Sequence, residues 1–141
     1  MMTIPSIKQI LATCAAAACL LASLPTLAEI VLVANPKNPA SSMTLEQASQ
    51  FYLGISNSFV PLDYVESVPL RAEFYKKVTN KEPGQVRAIW AKLVFTGKGK
   101  IPREFGSADD MKKAIAADPN AIGYLDKAAV DGSVKVMLTV P

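Results

Sequence analysis

Ser67 and Arg71 stand four residues apart in the stretch Tyr64-Val-Glu-Ser-Val-Pro-Leu-Arg-Ala-Glu-Phe74, which reads as the mouth of a helix. A helix start presents unpaired N–H groups and a partial positive charge, so it attracts anions. A serine hydroxyl adds a donor, and a guanidinium pairs two oxygens at once. Together they could hold an oxyanion such as phosphate. Three neighbours oppose this: Pro69 removes one N–H, Val68 hinders close backbone approach, and Glu66 places a negative charge at the mouth. The alternative makes Ser67 an N-cap and Arg71 a solvated first-turn side chain. Ser41 and Ser42 follow the first strand candidate, where an open α/β sheet presents its binding crevice. They either complete an anion pocket with Ser67 or form a polar loop ahead of the next helix.

Other chemistry is largely excluded by composition. The chain has no histidine, which removes histidine triads and histidine metal sites. Its two cysteines, Cys14 and Cys19, fall in a segment with the features of a secretory signal peptide. Lys8 precedes an apolar run from Ile10 to Leu24, and Thr26 and Ala28 supply the small residues of a cleavage site after Ala28. Lipid attachment at Cys19 is disfavoured by Ala16 and by the apolar run continuing past the cysteine. The expected organisation is a signal peptide over 1–28 and one periplasmic domain over 29–141, held by its core without disulfides.

The 15 Lys and Arg against 12 Asp and Glu give a net charge of +3, too mild to point to nucleic acid. Thr96-Gly-Lys-Gly-Lys100 lacks the spacing of a nucleotide-cradling loop. Asp109-Asp110 suits a helix start, and with no further acidic cluster it does not suggest a metal. No nucleophile stands with a base. The expectation is a non-enzyme without metal or cofactor.

The elements that must position these residues alternate between strand and helix. Glu29–Ala34, Phe59–Asp63, Ala121–Leu125 and Val134–Val140 read as strands. Thr44-Leu-Glu-Gln47 matches a capping box opening a helix that Gly54 stops. Leu70, Phe74 and Val78 form one apolar stripe behind Pro69. Pro83 opens a further helix, whose Val86, Ile89, Trp90, Leu93 and Val94 follow helical periodicity, with Trp90 expected in the core. Ser107 opens another, with Met111, Ala114 and Ile115 on its buried side. The fold class expected is α/β, a small mixed sheet flanked by helices.

"QASQFYLG", "RAEFYKKVTNKEPGQVRAIWAKLVFTGKG" and "DPNAIGYL" occur in that order. With these words the chain resembles the small periplasmic phosphate-binding-like proteins, labelled phosphate ABC transporter substrate-binding proteins. That family in turn looks like one lobe of a type 2 periplasmic binding protein. The resemblance implies phosphate or a similar small anion as ligand, with an inner-membrane transporter or sensor as partner, and contact with the membrane only through that partner. It aligns Leu62–Pro69 with a phosphate-holding run in which Ser67 matches the family serine. The flanking glycines, the threonine and the leading arginine of that run are replaced or absent, leaving Arg71 as the nearby cation. A lobe that kept the fold, lost the ligand and docks on a sensor, porin or other envelope protein is the competing expectation.

Overall fold

The computed structural model describes residues 29–141, so the signal peptide, its cleavage site and both cysteines lie outside the described residues. Ile30–Ala34 forms β1, five successive buried residues of a strand covered on both faces. Ala121–Asp126 forms β5, buried through its first five positions. Lys135–Thr139 forms β6, and Val60–Pro61 forms the two-residue β2. The sheet order is β2-β5-β1-β6. β1 runs antiparallel to β5 and β6, with Leu32 opposite Tyr124 and Val33 opposite Gly123, while β2 runs parallel to β5. The two central strands are the two continuous apolar runs, as double coverage requires. The outer β6 buries only Met137, shifts register against β1 between Leu32 and Val33, and leaves Val136 41% exposed.

Among the described residues four α-helices complete the layers. Leu45–Tyr52 is α1, opened by the foreseen capping box: Gln47 N–H donates to Thr44 Oγ1 at 3.1 Å, and Thr44 N–H donates to Gln47 Oε1 at 3.0 Å. Gly54, at φ 71°, ends it in the left-handed region that glycine enters freely. Pro69–Thr79 is α2 and Pro83–Phe95 is α3, each with its proline in the first turn. Ala108–Ala117 is α4, capped by Ser107, whose hydroxyl accepts from Asp110 N–H at 3.2 Å.

Three local expectations differ from the structure. Phe59–Asp63 is not one strand: after Leu62, whose N–H donates to Ile122 O at 2.8 Å, the chain leaves the main sheet. Asp63–Tyr64 then forms β3, parallel to a strand absent from the sequence reading, β4, Glu104–Phe105. A two-residue strand has no periodicity to detect. On α3 only Val86 and Trp90 of the expected stripe are fully buried, and Val94 and Phe95 are 43% and 92% exposed. The helix touches the core along one edge. At α2 the N-cap is Val68, without a side-chain cap bond, and Ser67 lies outside in the exposed preceding turn.

The loop between β1 and α1 is held by its asparagines. Buried Asn35 donates to Ile115 O and Ala116 O, the closing carbonyls of α4, and buried Asn38 donates to Pro119 O. The Asn35 bonds add a side-chain donor at the carboxyl end of α4, where backbone carbonyls run out of helical partners.

Gly123 faces α4 so closely that an added Cβ would lie 2.6 Å from Met111 Sδ and 3.0 Å from Ile115 Cδ1. Gly123→Ala is therefore expected to cost about 1–3 kcal/mol as an overpacking change. A lowered urea midpoint at unchanged slope is the measurement.

Candidate functional site

The start of α2 faces β3 and β4, and a buried polar cluster sits between them. Asp63 is only 3% exposed although it stands between Leu62 and Tyr64. Its carboxylate accepts from Tyr75 O–H, from Tyr124 O–H at 2.5 Å and from Tyr64 N–H at 2.8 Å. Arg71 is 5% exposed. Its Nη1 donates to Tyr64 O at 2.8 Å and to Glu104 Oε1 at 3.3 Å, and its Nε lies 3.8 Å from Asp63 Oδ2. Nε has no hydrogen-bond acceptor among the described residues.

Arg71 is thus not a solvated side chain. The stripe of Leu70, Phe74 and Val78 is wide enough on α2 to take Arg71 and Tyr75 inside with it. Burial works against the Arg71 charge, but Asp63, then Tyr75 and Glu104, more than compensate and hold the guanidinium proton more tightly than usual. The surrounding tyrosines move upward. Burial, reinforced by Asp63, raises Tyr52, Tyr75 and Tyr124 above the ordinary phenol range, and burial alone takes Tyr64 to about 12.

A cavity of about 130 Å³ opens beside this cluster, with Arg71, Asp63, Tyr75, Glu104 and Arg87 in its wall. Arg87 on α3 is exposed and pairs with Glu66 at 2.9 Å, which holds the Glu66 carboxyl below its ordinary range. The negative charge that the sequence places at the mouth of α2 therefore has a cation of its own. Ser67 is exposed and does not line this cavity. Ser41 and Ser42 are exposed on the loop before α1 and do not line it either. The four predicted residues are therefore not gathered into one cavity.

Sequence reasoning missed Asp63, Glu104, Tyr75 and Arg87. One signal was present: an aspartate inside the apolar run Phe59-Val-Pro-Leu-Asp-Tyr64 must have buried partners if that run is buried. Their identity was not legible, since Glu104 and Tyr124 lie 41 and 61 positions away.

No family model matches the sequence, and no curated protein matches it. Solved structures match by fold. An ABC-type phosphate transport receptor from Vibrio cholerae superposes with TM-score 0.61 at 18% identity, over 78% of this chain and 45% of that one. A putative phosphate ABC transporter substrate-binding protein from Clostridium perfringens, solved with bound phosphate, gives 0.62 at 20% identity, over 78% and 44%. PstS from Borrelia burgdorferi gives 0.60 at 10% identity, over 78% and 46%. The chain spans less than half the length of each of these proteins. The expected α/β architecture, a small mixed sheet flanked by helices, is borne out, and its fold matches less than half of each of these proteins.

Proposed function

We propose that this chain is a non-enzymatic, periplasmic solute-binding-like lobe that takes phosphate or a related oxyanion at the mouth of α2, in phosphate uptake or sensing. One observation carries the reading. In a fold shared with phosphate-binding proteins, a buried arginine beside a cavity at this helix start keeps one N–H without an acceptor. Arg87, in the wall of the same cavity, supplies further donors, and the Ser67 hydroxyl, outside that wall, is exposed in the turn before α2. Asp63 and Glu104 offset much of the positive charge, and a single lobe forms only one wall of a cleft. The anion is therefore held weakly until a second wall, from a partner or another copy, closes over it.

Phosphate is expected to raise the melting temperature saturably, as a ligand specific to the native state must. Ser67→Ala and Arg87→Ala reduce that rise while leaving the unliganded melt in place, because both side chains are exposed. A flat response to phosphate and sulfate at millimolar concentration sinks the reading.

A second reading is favoured by the engagement of Arg71 with Asp63 and Glu104. In it the lobe binds no ion and docks on an envelope protein such as a membrane sensor, a transporter or a porin. Recovery of one membrane partner, equal with and without phosphate, combined with the flat melting response, is its expected signature.

A further inference from the structure

A second cavity, of about 260 Å³, lies on the other side of Trp90, between the end of α1, β2 and the Thr96–Lys100 loop. Its wall combines Phe59, Val60, Pro61 and Trp90 with Lys98 and Lys100, and contains no acidic residue. Both lysines are exposed, and neither forms an ion pair among the described residues.

The indole is fixed and its orientation is defined. Nε1 donates to Tyr52 O at 2.9 Å, which turns the pyrrole edge inward. The benzo edge lies against Gly54 and Gly99, where a Cβ would come within 3.2 Å of Cη2 and 3.4 Å of Cζ3. The Leu93 side chain packs at the same two glycines, so the ring is wedged between them and only a narrow part of it, 8% of the residue, is exposed. Phe59 is locked edge-on against Phe51 at 5.1 Å between ring centroids, so the second aromatic wall is also set in advance. Val60, 43% exposed, completes an apolar surface already formed before any ligand arrives.

We propose that this crevice binds a small amphipathic anion, a carboxylate carried on one aromatic ring or a short acyl body. The apolar portion covers Phe59, Val60 and the Trp90 edge, and the carboxylate meets Lys98 and Lys100 at the rim. A volume just below the roughly 300–1,000 Å³ typical of small-molecule sites fits a ligand of that size. A rim of one sign of charge selects the anion over a neutral compound of the same shape. The crevice shares Trp90 with the cavity beside Arg71 but none of that cavity's charged residues, so Lys98 and Lys100 test it independently of phosphate binding.

Trp90 is the only tryptophan in the chain and lines both cavities, so its fluorescence reports binding at either, and the double lysine variant assigns the response to this crevice. The purified protein is titrated with phenylacetate, with its neutral amide phenylacetamide, and with acetate. Phenylacetate is expected to give a saturable change, and the amide and acetate to bind at least tenfold more weakly. Lys98→Ala/Lys100→Ala, on an exposed loop, retains the native circular dichroism and weakens phenylacetate at least tenfold. Absence of a saturable response to millimolar phenylacetate overturns the proposal. So does equal binding of phenylacetamide, or unchanged affinity in the double variant.

Discussion

Arg71→Met is expected to destabilise the protein by roughly 3–5 kcal/mol, the cost of leaving a buried carboxylate without its cation. Asp63 stays buried in that variant, with Tyr75, Tyr124 and the Tyr64 N–H still donating to it. Those three bonds soften the loss but supply no full charge. Glu104 and Tyr64 O lose a donor as well. The reciprocal change, Asp63→Asn, removes the counter-charge from a guanidinium that is 5% exposed, and its cost should be of the same order. The double variant decides between a coupled pair and two unrelated defects. Its cost should fall short of the sum by at least about 1 kcal/mol, because neither charge is then left alone. Urea midpoints at constant slope measure all three.

The outcome bears directly on function. An Arg71→Met variant as stable as the parent would mean that the core does not depend on the guanidinium, whereas the expected loss means that it is committed there and keeps its Nε hydrogen for an ion. A large loss means that its loss of phosphate response cannot be read as loss of a ligand. Ser67 and Arg87, both exposed, then become the decisive positions. Arg87→Ala should leave the urea midpoint in place, because its pair with Glu66 is solvent-exposed on both sides.

Alkaline conditions should unfold the protein abruptly. All four tyrosines of the sequence, Tyr52, Tyr64, Tyr75 and Tyr124, are buried, and each has its phenol shifted upward. In the unfolded chain they titrate near pH 10. Between that pH and the folded values the native state holds more protons than the unfolded state. Its stability therefore falls as pH rises, by about 1.4 kcal/mol per pH unit for each tyrosine. Below pH 10 this contribution is complete; above it, the four losses accumulate together. For a domain of this size, with about 5–15 kcal/mol of total stability, cooperative unfolding follows before the phenols ionise in place. Phenolate absorbance and far-ultraviolet circular dichroism should change in one coincident step. Tyr64→Phe should make the fall shallower by one proton. A gradual phenolate titration centred near pH 10 with the circular dichroism unchanged would contradict the burial of the aromatic cluster. That cluster is dense: Phe74 stacks on Tyr124 at 3.8 Å, and Tyr52 meets Phe74 edge-on at 4.8 Å.

The sequence by itself determined the elements whose signals are local. Thr44 and Gln47 lie three positions apart, and their reciprocal cap needs nothing beyond that turn. Pro69 and Pro83 start α2 and α3 because a fixed φ and a missing N–H suit the first turn wherever it sits. Gly54 ends α1 because the left-handed conformation is open to it. The runs at β1 and β5 are apolar throughout because both faces are covered, and that pattern is readable without knowing the cover.

Tertiary structure alone decided the site. Whether Arg71 faces water or a carboxylate depends on α2 packing against β3 and β4, and β4 leaves no periodic trace in two residues. Asp63, Arg71, Glu104 and Tyr124 meet only after long loops close and the sheet register is set. The same holds for α3, whose periodicity is genuine but whose neighbours cover only Val86 and Trp90. Periodicity specifies which side chains share a face. Burial of that face depends on what packs against it, and that partner comes from distant parts of the chain.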